Sequence, residues 1–87
     1  MFVILSYDIE LKRNKRVMKT VKKYLCPVHK SVFEGCISAR NLNTLKKELS
    51  GIIDPEKDSV VIYRLEWTRT VTKEFIGKAL PGASAVL

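Results

Sequence analysis

The apolar run FVILSY at residues 2–7 constrains this chain more than any other feature. It is short, contains β-branched members, and ends against the acidic positions Asp8 and Glu10, which is the pattern of a strand. Alternation along a strand puts Val3, Leu5 and Tyr7 on one side and Phe2 and Ile4 on the other, so both sides require cover. A chain of 87 residues forms one domain and buries only about 60–65% of its unfolded surface, so it gains from association. Face-to-face pairing of two sheets in a symmetric homodimer would cover the second side. The apolar fraction of 46% and charged fraction of 29% are those of a globular chain. No apolar stretch approaches the roughly 18 residues of a membrane span, and the first residues carry no basic leader, so a cytoplasmic protein is expected.

The rest of the chain alternates periods. From Lys12 onward, Val17, Met18, Val21, Tyr24 and Leu25 recur at helical spacing with lysines between them, which predicts a basic amphipathic helix stopped near Cys26 by Pro27. VHKSVFEGCI reads as a second strand, with Gly35 a bend or bulge. Ser38 is placed to cap a helix carrying Leu42, Leu45, Leu49 and Ile52, with Gly51 at its end. DPEKDS is turn chemistry, in which Asp54 and Asp58 form local side-chain bonds. In SVVIYRLEW the set Val61, Tyr63, Leu65, Trp67 is wholly apolar and is expected to face the core. TVTKEFIGK, at about residues 70–78, reads as an edge strand, and residues 79–87 as a flexible or partner-docking tail. This order predicts an α+β fold, a ferredoxin-like βαββαβ sandwich with an antiparallel sheet and two helices on one face.

Net charge is +7, and seven of the sixteen basic residues lie in KRNKRVMKTVKK at residues 12–23, which holds no acid. Such a segment attracts polyanions, and Lys12, Lys15 and Lys19 join Arg13 and Arg16 as candidate nucleic-acid contacts. A solvated helix face serving solubility is the rival account. Cys26 and Cys36, with a single His in the chain, support neither a zinc cage nor a disulfide framework. Asp8, at the point where the backbone leaves the sheet, suits a magnesium or manganese ligand, because a hard ion that keeps several waters needs few carboxylates. Two Asp8 residues across a two-fold axis would supply a pair; alternatively Asp8 caps the turn into the helix. Tyr7, Phe33, Tyr63 and Trp67 could stack bases, but no ribonucleoprotein signature accompanies them.

The strand-end pair Tyr7-Asp8, the basic run from Arg13 to Arg16, KSVFEG at residues 30–35 and DPEKDSVVIY at residues 54–63 resemble the CRISPR-associated protein Cas2 family over about residues 2–78. The resemblance implies a ferredoxin-like homodimer that bridges copies of the CRISPR integrase and holds a spacer duplex. It also implies a magnesium-dependent endonuclease acting on single-stranded RNA or duplex DNA. By position it makes Asp8 the catalytic metal residue with Tyr7 beside it, and Arg13 and Arg16 phosphate contacts. Lys30, Ser31 and Phe33 shape the neighbouring nucleic-acid site, and His29 stands where many relatives have Gln. Two rival functions are a non-catalytic scaffold and a toxin ribonuclease of the VapD type.

Overall fold

The computed structural model describes residues 1–65. In chain order it contains β1 (Phe2–Asp8), α1 (Leu11–Lys22), β2 (Cys26–His29), β3 (Val32–Cys36), α2 (Ala39–Ser50) and β4 (Ser59–Leu65). The four strands form one antiparallel sheet in the order β2-β3-β1-β4, the ferredoxin-like arrangement expected from the sequence. The two-sided apolar strand β1 lies inside the sheet, bonded to β3 on one side and to β4 on the other. Trp67, the edge strand expected at about residues 70–78 and the tail at residues 79–87 lie outside the described residues.

Both helices cover one face of the sheet. Val3, Leu5 and Tyr7 of β1 and Phe33 of β3 share a core with Val17 and Val21 of α1 and Leu42, Leu45 and Leu49 of α2. Fully burying a side chain of this kind contributes about 1.5–3 kcal/mol relative to leaving it exposed. Ser38 caps α2 as its position predicts, its Oγ accepting a hydrogen bond from the Asn41 N–H at 3.1 Å. Lys23 reaches across the helix layer to Glu48 at 3.0 Å. Among the described residues, no helix is long and apolar enough to cross a membrane.

Four local expectations need correction. VHKSVFEGCI is two strands: the chain reverses at Lys30 and Ser31, with Ser31 at φ 62°. A serine in the left-handed region is uncommon, so the turn carries none of the Gly, Pro or Asn signals that normally announce one. The register irregularity lies in β2 between Pro27 and His29, whereas Gly35 pairs regularly with Val3. Glycine at 35 serves close packing instead, since a Cβ there would stand 3.3 Å from Leu25 Cδ2. Helix α1 ends at Lys22, and Tyr24 and Leu25 continue as turns bonded to the Val21 carbonyl, which frees Cys26 and Pro27 for β2.

The fourth correction concerns β4. Ile62 pairs with Leu5 and Val60 with Tyr7, so Val60 and Ile62 lie on the helix-covered side and pack against the core. Val61, Tyr63 and Leu65 of the wholly apolar set are on the other side, leaving Val61 45% and Tyr63 57% exposed. Directly paired residues share a face of the sheet, so the partner strand decides which apolar set is buried. The face turned away from the helices is open around Val61, Tyr63 and Asp8 and carries Ile4 and Ser6 of β1, whereas Phe2 and Glu34 on the same face are buried.

Candidate nucleic-acid and metal site

Asp8 is the last residue of β1, paired with Ser59 of β4, and is exposed. Its position in the alternation puts it on the open face, in line with Ser6, Ile4 and Phe2. Tyr7, its neighbour in sequence, projects into the helix-covered side: it is 6% exposed and stacks on Phe33 with ring centroids 6.0 Å apart. Burial pushes the Tyr7 phenol above its ordinary pKa, and a hydrogen bond with Ser31 pulls it partly back. The two residues placed side by side by the sequence thus serve opposite faces of the sheet.

The turn-cap account of Asp8 finds no support, because helix α1 has no side-chain cap hydrogen bond. The junction between β1 and α1 is secured by Asp58, which is buried and comes from the loop before β4. Its carboxylate accepts hydrogen bonds from the Glu10 N–H at 2.9 Å, the Asp54 N–H at 2.8 Å and Arg13 Nε at 2.6 Å. Arg13 Nη2 also donates to Asp58 Oδ1 at 3.0 Å and to Glu10 Oε2 at 2.5 Å. The Arg13 guanidinium holds the Asp58 carboxyl well below the usual carboxylate range, against the opposing effect of burial, and Asp58 and Glu10 hold Arg13 in its charged form. The local bonds expected in DPEKDS are present, but the contact of Asp58 with Arg13 spans 45 residues of sequence and no local pattern announces it.

Arg13 is therefore engaged in the frame, and its side chain is only 16% exposed. The other cations of α1 behave differently. Lys12, Lys15, Arg16, Lys19 and Lys22 are exposed and recur three or four residues apart, forming a stripe along the face of the helix opposite Val17 and Val21. Among the described residues, no acidic group pairs with any of these five. A stripe of unpaired cations on a rigid helix is the electrostatic footprint of phosphate binding.

Tyr7, Lys30, Ser31 and Phe33 meet in a cavity of about 260 Å³ between α1 and the β2–β3 hairpin. Met18, Lys22, Pro27 and His29 complete its lining; of these, the sequence singled out only His29 as a point of interest. Among the described residues, no group of three or more His, Cys, Asp or Glu side chains could hold a metal ion. Asp8 is thus an exposed oxygen ligand outside any such cluster, and a hydrated hard cation that takes one or two carboxylates suits it, more so when a second copy contributes its own.

Known proteins share both the sequence and this geometry. A family model described as CRISPR associated protein Cas2 matches residues 1–72. A relative from Frankia alni named CRISPR-associated endoribonuclease Cas2 is 38% identical over 87 residues, covering 100% of each chain. One of the same name from Thermotoga maritima is 38% identical over 77 residues, covering 88% of each. A solved structure described as crystal structure of cas2 superposes with a TM-score of 0.84 at 33% identity, over 100% of this chain and 98% of the other. That of Streptococcus pyogenes Cas2 at pH 6.5 superposes with a TM-score of 0.74 at 33% identity, over 88% and 100%. With a family model over most of its length and relatives aligned nearly end to end, the chain belongs to the CRISPR associated protein Cas2 family.

Proposed function

We propose that the protein works as a homodimer that binds nucleic acid in CRISPR adaptation, holding a spacer duplex and bridging integrase copies, and that it hydrolyses phosphodiester bonds at Asp8. The observation that carries the catalytic part is the position of Asp8: an exposed carboxylate with no structural duty, at the rim of a sheet face that also exposes Val61 and Tyr63. Closing two such faces about a two-fold axis covers the apolar side chains and brings two Asp8 carboxylates toward each other. Close carboxylates repel unless a cation lies between them, and Asp8 from each copy would hold a magnesium or manganese ion. Such an ion, when bound, polarises the phosphoryl group and lowers the pKa of a bound water. The cationic stripe of α1 holds the phosphate backbone, and the relatives' endoribonuclease names favour RNA as the substrate cleaved.

Asp8→Asn tests this. It keeps size and polarity, removes the ligand charge, and breaks no side-chain hydrogen bond or ion pair among the described residues. Cleavage of a single-stranded RNA, measured across a magnesium titration, should fall by orders of magnitude while the melting temperature and dimerisation stay near wild type. Cleavage that survives in Asp8→Asn removes this residue from the mechanism. The scaffold reading is favoured by the absence, among the described residues, of any cluster of three or more metal-ligating side chains, and no cleavage by either protein would leave the scaffold as the whole function.

A further inference from the structure

We infer that the cavity between α1 and the β2–β3 hairpin binds one unpaired nucleotide, with its base inside and its phosphate at the mouth. This rests on the nucleic-acid reading above but concerns the side of the sheet opposite Asp8. The lining divides by chemistry. Met18 and Pro27, over the largely buried rings of Tyr7 and Phe33, make an apolar and polarisable interior, which accepts the flat apolar face of any base. Lys22 and Lys30, both exposed, stand with His29 around it, and among the described residues no carboxylate lines the cavity. An apolar interior with cations at its mouth complements a flat ring joined to an anion.

Size narrows the ligand further. Pockets that enclose a whole drug-sized molecule run to roughly 300–1,000 Å³. At about 260 Å³ this one takes a single ring system and leaves the sugar and phosphate outside. The polar groups are also arranged in advance. His29 Nδ1 accepts the Lys30 N–H at 2.9 Å, so a neutral imidazole carries its proton on Nε2 and keeps a donor available. Ser31 stays at φ 62° while its carbonyl accepts the Tyr7 N–H at 3.0 Å, a strained backbone conformation fixed by the hairpin at the cavity wall. Lys22 ends the cationic stripe of α1 and also lines the cavity, so a strand following the stripe delivers its terminal nucleotide there.

The test is titration of the full chain with adenosine and uridine 5′-monophosphates, followed by amide chemical shifts. Saturable shifts at Tyr7, Met18 and residues 28–33 are expected, with Lys22→Ala and Lys30→Ala each weakening binding about two- to fivefold. Met18→Trp fills the cavity without changing charge; it should abolish mononucleotide binding and weaken RNA with an unpaired end, while the salt dependence of RNA binding, set by the cations of α1, stays in place. Absence of saturable shifts at millimolar nucleotide, equal shifts from inorganic phosphate alone, or undiminished binding by a folded Met18→Trp protein would overturn the inference. The two lysine variants, with circular dichroism to verify their fold, decide the matter if Met18→Trp does not fold. Wild-type protein that binds mononucleotides but not RNA would refute the nucleic-acid reading and leave the pocket standing; the opposite pattern would refute the pocket alone.

Discussion

Tyr63→Ala should weaken the homodimer by about two orders of magnitude while barely changing the stability of each protomer. A tyrosine presents roughly 200 Å² for burial, and at 57% exposure about 110 Å² of Tyr63 faces solvent. Covering that area at about 25 cal/mol per Å² contributes ~3 kcal/mol. A two-fold interface counts each substitution twice, giving ~6 kcal/mol per dimer as an upper bound. Alanine retains part of the contact and the neighbouring Ile4 and Val61 relax toward the gap, so about half is expected, or ~3 kcal/mol and roughly 100-fold in Kd. Sedimentation equilibrium over a concentration series reads this directly. Thermal melts of the dilute monomer should move little, because an exposed side chain contributes within about 0.5 kcal/mol. Activity that depends on Asp8 from both copies should fall in step with the dimer fraction. A Kd within threefold of wild type would show that the open sheet face is not the dimer interface, and would remove the arrangement that brings two Asp8 residues together.

Asp58→Asn should lower the melting temperature at neutral pH, with the deficit closing progressively below about pH 4. The sign follows from Arg13, which depresses the Asp58 pKa in the folded state. The stabilisation is complete above the unfolded value and is lost as pH falls through the lower folded value, so a deficit independent of pH would refute the Arg13–Asp58 clamp. Arg16→Ala should reduce the log-log salt slope of duplex binding by about 0.9, with an unchanged melting temperature. Arg13→Ala should do the reverse, because its guanidinium is engaged with Asp58 and Glu10. Equal slope changes from the two variants would refute the division of α1 into a framing arginine and a phosphate-binding stripe.

Most of the architecture was legible in the sequence because it rests on local periodicity. The alternation in Phe2–Asp8, the helical spacing of Val17 and Val21 and of Leu42, Leu45 and Leu49, and the Ser38 cap each depend on residues within a few positions of one another. The acid-free basic segment is likewise a property of composition, so the expectation of a polyanion partner could be raised from sequence alone. Asp8 stood out because it ends an apolar strand, which is again a local fact.

Tertiary structure decided whatever depends on a partner distant in sequence. Period-two alternation separates Val60 and Ile62 from Val61 and Tyr63, but only pairing with Leu5 and Tyr7 determines which set is buried. The hairpin at Ser31 uses a left-handed residue that no turn signal marks, and it is long-range pairing of β3 with β1 that fixes the reversal in place. Arg13 looked like its basic neighbours because charge alone does not reveal an acid 45 residues away, and the fold converts it from a phosphate contact into a frame for the β1–α1 junction. Tyr7 and Asp8 are one residue apart, and the pleat of β1 sends one into the core beside Phe33 and the other to the open rim. Local sequence thus determines which side chains are able to do chemistry, and the sheet register determines which of them meet.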